Sequence, residues 1–154
     1  MRQGALLRGL GGCAIAWLAL GWAGAMASLA DDEAIKAAAL DYAEGWYAGD
    51  EVRVARALHP QMLKRRIVTE IVSRQQAVQV LDAATLLRAT REGRGKAGAE
   101  GPVILRVAIL DRHGDMAVVR VVSSLYVDYL SMVRWEGRWL ILSVLWGTIT
   151  APGD

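Results

Sequence analysis

Thiols are almost absent from this 154-residue chain, which has a single cysteine, Cys13. The chain is long enough for one domain and too short for two comfortable ones. Cys13 lies in an apolar N-terminal stretch that has the composition of a leader. A domain that follows this stretch therefore has no thiol, folds without disulfide bonds and has no cysteine chemistry available to it.

Histidine is also scarce, since the chain has only His59 and His113. Neither has a Glu or Cys at metal-ligand spacing, and no serine stands in the strand-turn-helix elbow of a nucleophilic triad. The glycine-rich stretch from Gly93 to Gly101 leads into a strand instead of a helix, so it predicts a flexible surface loop and no phosphate cradle. We therefore expect neither a metal nor another cofactor.

Neither sign of charge is in excess, with 18 basic and 16 acidic side chains. Arg2 and Arg8 belong to the leader, so the remaining chain balances at 16 basic (18 minus 2) against 16 acidic side chains. A protein that binds nucleic acid would carry a marked basic surplus. The sequence therefore predicts no nucleic-acid partner, and the cluster Lys64-Arg65-Arg66 is interpreted as a solvated helix end.

The N-terminus has the parts of a secretory signal peptide. A short basic start is followed by an uncharged apolar run from Gly9 to Ala30, which ends in small residues. We expect a signal peptide at residues 1–30 and a single domain at residues 31–154. The alternative is an uncleaved membrane anchor, because roughly 20 apolar residues can span a bilayer. Both predict a periplasmic or secreted domain, which contacts the membrane only through the leader.

The last third of the chain, from Val103 to Thr148, has the pattern of successive β-strands rich in branched and aromatic residues. Asp111 to Asp115 predicts a first turn, and Glu136-Gly137 predicts a two-residue hairpin turn in which glycine takes a positive φ. Short connections join antiparallel neighbours, so the pattern predicts a curved antiparallel sheet. The predicted strands cover residues 103–110, 116–122, 127–135 and 139–146.

Three helices are predicted upstream of this sheet. The first begins at Asp31 or Asp32 and ends at Gly49, which closes a helix at little cost in a left-handed conformation. The apolar stripe of this helix consists of Ile35, Ala39, Tyr42 and Trp46.

Aspartates are placed to cap the other two helices. Asp50 caps a helix that runs through about Leu58, and Asp82 caps one from Ala83 to Glu92. Between these helices, the sequence predicts a short helical turn at residues 61–66 and a pair of strands at residues 67–72 and 77–81.

Three segments together carry a family resemblance: Asp41–Asp50, Ala57–Pro60, and Asp128–Arg134 continuing to Gly137–Ile141. They resemble the nuclear transport factor 2-like (NTF2-like) superfamily and, within it, the secreted, SnoaL-like family named "putative lumazine-binding". The resemblance implies an α+β cone in which three N-terminal helices pack on a strongly curved antiparallel sheet and leave a pocket. Because the superfamily includes isomerases, cyclases, dehydratases and plain binding or dimerisation modules, the fold alone does not select an activity.

Two residues are candidates for catalysis within such a pocket. Asp128 lies in an apolar segment, and burial lets a carboxyl group exchange protons near neutral pH. The alternative is a strand-end carboxylate that only accepts backbone hydrogen bonds. His59 is a second candidate at the pocket mouth, or a structural histidine at the end of the second helix. Arg120 stands in an apolar strand and needs a partner if buried, and Asp128 is the expected partner.

Aromatic residues are the candidates for ligand contact. Tyr42 and Trp46 can stack on a flat ligand or simply belong to the core, and Tyr126, Trp146 and Arg120 complete the candidate ligand-binding set. The preferred interpretation is an exported protein that binds a small aromatic or apolar molecule. One alternative is an isomerase or cyclase that uses Asp128, and another is a dimeric interaction module whose cone is filled by its own side chains.

The last predicted strand is apolar on both sides. With the turn at Glu136-Gly137, Arg134 faces Trp139 and Met132 faces Ile141 across the hairpin. The helices can cover only one face, and a large exposed apolar patch usually marks a partner surface, so we expect a homodimer. The alternation predicts Trp139, Ile141 and Leu145 on one face, with Leu140, Leu142, Val144 and Trp146 on the other.

Overall fold

The computed structural model describes residues 13–96, 103 and 105–149, with side chains from residue 26 onward. The first twelve residues of the expected leader lie outside this range. The chain divides into two compact units, Met1–Asp31 and Asp32–Asp154. Within the described residues, every helix is too short or too polar to cross a membrane.

Helices and strands follow one another as the sequence predicts for most of the chain. The helices are α1 (Cys13–Ala48), α2 (Glu51–Ala57) and α3 (Ala83–Arg91). The strands are β1 (Leu58–Thr69), β2 (Gln76–Asp82), β3 (Arg106–His113), β4 (Met116–Val122), β5 (Tyr126–Trp135) and β6 (Arg138–Thr148).

Short-range capping signals decide where the helices begin and end. The Asp50 carboxylate accepts from the Arg53 amide at 2.9 Å, and the Asp82 carboxylate accepts from the Thr85 amide at 2.8 Å. Both predicted N-caps are therefore confirmed. Gly49 follows α1 with a φ of 69°, as predicted. The predicted start of the first helix at Asp31 or Asp32 is wrong, because α1 continues through both residues without a helix breaker.

The six strands form one sheet in the order β2-β1-β6-β5-β4-β3. Strands β1 and β6 run parallel, whereas the other pairs are antiparallel. The strands predicted between residues 103 and 148 are antiparallel as expected, and the prediction is wrong only where β1 joins β6 in parallel and makes the whole sheet mixed. The predicted helical turn at residues 61–66 is also wrong, because β1 continues through it and pairs with β2 on one side and β6 on the other.

The two predicted turns of the C-terminal sheet have different outcomes. Glu136 and Gly137 both have positive φ, 49° and 77°, which is the geometry of a tight hairpin turn. The predicted pairs across this hairpin, Arg134 with Trp139 and Met132 with Ile141, are confirmed. The other turn is shorter than predicted, since β3 extends to His113 through a register shift after Ile109 and the chain turns at residues 114–115.

A β-bulge in β6 changes which side chains face the helices. Ile141 pairs with Met132 and Ser143 pairs with Ser131, so Leu142 is an extra residue between the two pairs. One extra residue reverses the alternation beyond it. Leu145 is therefore 57% exposed on the outer face, and the prediction that it shares a face with Ile141 is wrong.

Helices and the inner face of the sheet enclose one hydrophobic core in the second unit. This is the predicted α+β arrangement of three helices on a sheet. The core includes Ile35, Ala39 and Tyr42 of α1, Leu86 of α3, and Val119, Val121, Leu130, Met132, Ile141 and Val144 of the sheet.

The described part of the glycine-rich stretch packs against the end of α1. Gly95 is buried, and a Cβ atom added to it would lie 2.2 Å from the carbonyl oxygen of Trp46. The prediction of a surface loop is therefore wrong at Gly95, whose backbone packs closely against Trp46, whereas Arg94 and Lys96 are exposed as predicted. Residues 97–101 of the predicted loop lie outside the described residues.

Candidate functional site

A cavity of about 280 Å³ opens among α1, α3 and the inner face of the sheet. Its volume lies near the lower end of the range for small-molecule pockets, roughly 300–1,000 Å³. The interior of this fold is therefore not filled completely by its own side chains. Five of the predicted site residues line the cavity: Tyr42, Trp46, Tyr126, Asp128 and Trp146.

Aromatic side chains form much of the cavity wall. The rings of Tyr126 and Trp146 meet edge to face, with their centroids 5.3 Å apart and an interplanar angle of 79°. Trp46 and Tyr47 contribute from α1, and Leu86 contributes from α3. Rings held in fixed orientations offer flat apolar surfaces against which a planar molecule can stack.

A buried polar cluster of Tyr42, Lys64 and Asp128 interrupts this apolar wall. The Lys64 ammonium donates to Asp128 Oδ1 at 2.6 Å and to Tyr42 Oη at 2.5 Å. Tyr42 also donates its hydroxyl proton to Asp128 Oδ1 at 3.1 Å. The side chains of Lys64 and Asp128 are only 10% and 8% exposed, so this ion pair is shielded from water.

Burial and the charge of Asp128 both change the pKa values of Lys64 and Tyr42. Burial lowers the pKa of Lys64, whereas the neighbouring Asp128 opposes that change. Burial also raises the pKa of Tyr42 well above its usual value, and the charge of Asp128 acts in the same direction. Tyr42 therefore keeps its proton at neutral pH and acts as a hydrogen-bond donor to Asp128.

A serine that the sequence did not single out fixes two of the aromatic residues. Tyr47 donates to Ser123 Oγ at 2.9 Å, and Ser123 Oγ donates to the carbonyl oxygen of Tyr126 at 3.1 Å. The Tyr126 amide donates back to Ser123 Oγ at 3.1 Å. No local sequence signal identifies Ser123, because its partner Tyr47 is 76 residues away along the chain.

Arginines contribute a second kind of polar group to the wall. The Arg66 guanidinium lies over the Trp146 ring, 4.4 Å from its centroid, and Arg66 Nε donates to Gln79 Oε1 at 2.5 Å. Arg88 lines the cavity from α3, and Arg94 pairs with Glu92 at 3.0 Å.

Two predicted site residues lie elsewhere. His59 is buried at the start of β1, where its Nδ1 accepts from the Gln61 amide at 3.1 Å and its ring meets Trp135 edge to face. Arg120 is exposed, because its neighbours Val119 and Val121 take the inward positions of β4. The structure does not bring either residue to the cavity wall.

Lys64 is a further site residue that the sequence did not predict. The expected partner of Asp128 was Arg120, and the cluster containing Lys64 was interpreted as a solvated helix end. Both are corrected here, because Lys64 is a buried strand residue paired with Asp128. Met62, Lys64 and Arg66 alternate at a period of two, which is the signal that places them on one side of a strand.

Metal-ligating side chains do not cluster in the part of the chain that the structure describes. No three His, Cys, Asp or Glu residues lie close enough there to hold an ion.

Comparison with known proteins agrees with this geometry. The family model described as "Putative lumazine-binding" matches residues 30–147. No curated protein matches the chain.

Solved structures share the fold at low sequence identity. An NTF2-like protein from Silicibacter pomeroyi DSS-3 has 16% identity and a TM-score of 0.66, covering 79% of this chain and 98% of that chain. One from Shewanella baltica OS155 has 18% identity and a TM-score of 0.61, covering 80% and 97%. A ketosteroid isomerase-like protein from Erwinia carotovora atroseptica SCRI1043 has 15% identity and a TM-score of 0.55, covering 77% and 96%. The chain belongs to the "Putative lumazine-binding" family and has the NTF2-like fold.

Proposed function

We propose that this protein binds a small, flat molecule of aromatic or apolar character in the cavity between its helices and its sheet. The observation that carries the proposal is an open cavity, walled by aromatic rings, whose buried carboxylate is already paired with a lysine. The description of the family as lumazine-binding supports a small-molecule ligand.

The pairing of Asp128 favours binding over catalysis by a carboxylate base. A general base must be free to take a proton from its substrate. Asp128 Oδ1 instead accepts hydrogen bonds from Lys64 and Tyr42, and the lysine is its ion-pair partner. Similarity to a ketosteroid isomerase-like protein raises the isomerase alternative, and the Lys64–Asp128 ion pair is the feature that opposes it.

The test is native mass spectrometry of protein purified without denaturation, which reports any small molecule that stays bound. Ala89→Phe places a ring in the cavity wall, so we expect this variant to lose the bound molecule. Ala84→Phe is the matched control, because Ala84 is an exposed residue of the same helix outside the cavity wall. Retention of the same molecule by both variants would place its binding site elsewhere.

Export is part of the proposed function. The basic start and the uncharged apolar run at residues 1–30 support a signal peptide that delivers the domain to the periplasm or outside the cell. The intact mass of the protein recovered from the periplasm tests this. Loss of about the first 30 residues is the expected result, while an uncut chain held in the membrane fraction would favour the anchor alternative.

We also propose that the outer face of the sheet pairs two copies of the chain. Five residues on adjacent strands lie in register across this face, in the order Val80, Arg65, Leu145, Tyr129 and Arg120. Leu145 and Tyr129 are 57% and 44% exposed at its centre. A twofold axis through this centre would bury both residues in each copy, which is the arrangement that closes a symmetric dimer.

A further inference from the structure

The cavity wall carries more positive than negative charge. Four cationic side chains line it, Lys64, Arg66, Arg88 and Arg94, together with two carboxylates, Asp128 and Glu92. Both carboxylates are already paired within the protein, Asp128 with Lys64 at 2.6 Å and Glu92 with Arg94 at 3.0 Å. Among the described residues, Arg66 and Arg88 have no carboxylate within salt-bridge distance, although the charge of Arg88 also acts on the exposed Asp82 at the start of α3.

Arg66 is held in a fixed orientation at this wall. Its guanidinium stacks on Trp146, 4.4 Å from the ring centroid, while its Nε donates to Gln79 Oε1. Within the described part of the chain, no protein acceptor engages its two terminal nitrogens. A planar guanidinium whose position is fixed and whose terminal N–H groups remain available matches the paired oxygens of a carboxylate.

The ring beneath Arg66 makes this arrangement selective for a particular kind of molecule. Trp146 lies against two cations, with the Arg66 guanidinium 4.4 Å and the Lys64 ammonium 4.6 Å from its ring centroid, and it meets Tyr126 edge to face. A ligand ring that stacks on this aromatic wall would carry its substituents toward the arginine. The positive charge of Lys64 is already paired with the Asp128 carboxylate at 2.6 Å, whereas Arg66 has no such partner, so Arg66 is the better site for an anionic substituent.

We propose that the ligand is an aromatic carboxylate, whose ring lies against the Tyr126–Trp146 wall and whose anionic group is bound by Arg66 with support from Arg88. This rests on the proposed function, because it names the ligand class of the same cavity. Arg66 acts as a specificity-determining residue, since its charge distinguishes an aromatic acid from a neutral aromatic molecule of the same shape.

Isothermal titration calorimetry with two matched probes tests the proposal. 2-Naphthoate and 2-naphthamide share one ring system and differ in charge. We expect the purified protein to bind naphthoate about tenfold or more tightly than naphthamide, as for a charge-assisted hydrogen-bonded pair. Arg66→Gln should remove about tenfold of the naphthoate affinity and reduce the naphthamide affinity much less.

Matched variants separate a local from a general charge effect. Arg120→Gln removes one positive charge from the outer face of the sheet and should leave both affinities unchanged. If Arg66→Gln does not fold, Arg88→Gln remains available, because Arg88 is exposed on α3, and it should weaken naphthoate binding by roughly threefold.

The outcomes distinguish the two levels of the proposal. Equal affinity for naphthoate and naphthamide would overturn the anion site and leave the proposed binding of flat molecules intact. An equal loss of naphthoate binding in Arg66→Gln and Arg120→Gln would also overturn it, since the effect would then be one of net charge. If neither naphthoate nor naphthamide binds at millimolar concentration, the proposed function itself is rejected.

Discussion

Lys64 and Asp128 lie on strands β1 and β5, on either side of β6, and their charged atoms meet at 2.6 Å in the wall of the cavity. The parallel pairing of β1 with β6 places Lys64 beside Val144, while the antiparallel pairing of β5 with β6 places Asp128 beside Trp146. The ion pair therefore links the N-terminal half of the sheet to the C-terminal half. While this ion pair is intact, the carboxylate that the cavity offers is neutralised by the lysine.

Removal of the lysine should be strongly destabilising. Lys64→Met leaves the buried Asp128 carboxylate without a countercharge, and breaking such a pair costs about 3–5 kcal/mol of unfolding free energy. The double variant Lys64→Met/Asp128→Asn removes both charges and keeps an acceptor for Tyr42, so it should recover most of the loss. Urea unfolding of the wild type, both single variants and the double variant measures the coupling. Similar stability of Lys64→Met and the double variant would contradict this account.

Alkaline pH should weaken the fold through Tyr42. Because the pKa of Tyr42 is raised above its ordinary value of 10.0 by burial and by Asp128, the native state keeps a proton that the unfolded state releases. This contribution to stability is complete below pH 10 and is lost as the pH rises through the native pKa. The lowered pKa of Lys64 acts in the opposite direction below about 10.5.

Comparison of Tyr42→Phe with the wild type separates the effect of Tyr42 ionisation on stability from that of the other groups. Urea midpoints measured from pH 8 to pH 11 should decline less steeply above pH 10 for Tyr42→Phe than for the wild type. Parallel curves for Tyr42→Phe and the wild type would show that Tyr42 ionises alike in both states.

A methyl group at Gly95 should not be tolerated. Its Cβ would lie 2.2 Å from the Trp46 carbonyl oxygen and 2.8 Å from the carbonyl carbon, which are backbone atoms that cannot rotate away. We expect Gly95→Ala to cost about 1–3 kcal/mol, the usual range for overpacking, as measured by urea unfolding. Gly147→Ala is the control, because nothing lies within 4 Å of its added Cβ. Equal stability of the two variants would mean that residues 93–96 pack less closely.

A negative charge introduced on the outer face of the sheet should dissociate the proposed dimer into monomers. Light scattering at micromolar concentration should give the mass of two chains for the wild type and of one chain for Leu145→Asp, because a buried unpaired carboxylate is costly at an interface. Ile71→Asp is the control, since Ile71 is 89% exposed beyond the end of β1. A monomeric wild type would refute the proposal.

The aromatic part of the candidate site was predictable from the sequence, because aromatic residues that recur at helical spacing can be recognised in it. Tyr42 and Trp46 recur on one stripe of α1, and both reach the cavity. The polar half of the site was harder to predict. Lys64 lies between two other basic residues, a pattern typical of a solvated surface, and only the β-strand alternation of β1 turns it inward.

The sequence by itself determined the local elements: the Asp50 and Asp82 caps, the Glu136-Gly137 turn and the apolar stripe of α1. These depend on hydrogen bonds and backbone dihedral angles within a few residues, so short segments are enough to specify them. Tertiary structure alone decided that β1 runs parallel to β6 and that the bulge at Leu142 turns Leu145 outward. Tertiary structure also brought Lys64 and Asp128 together. Strand order and register depend on contacts between segments that are distant in the chain. One extra residue in a strand moves every later side chain to the opposite face of the sheet.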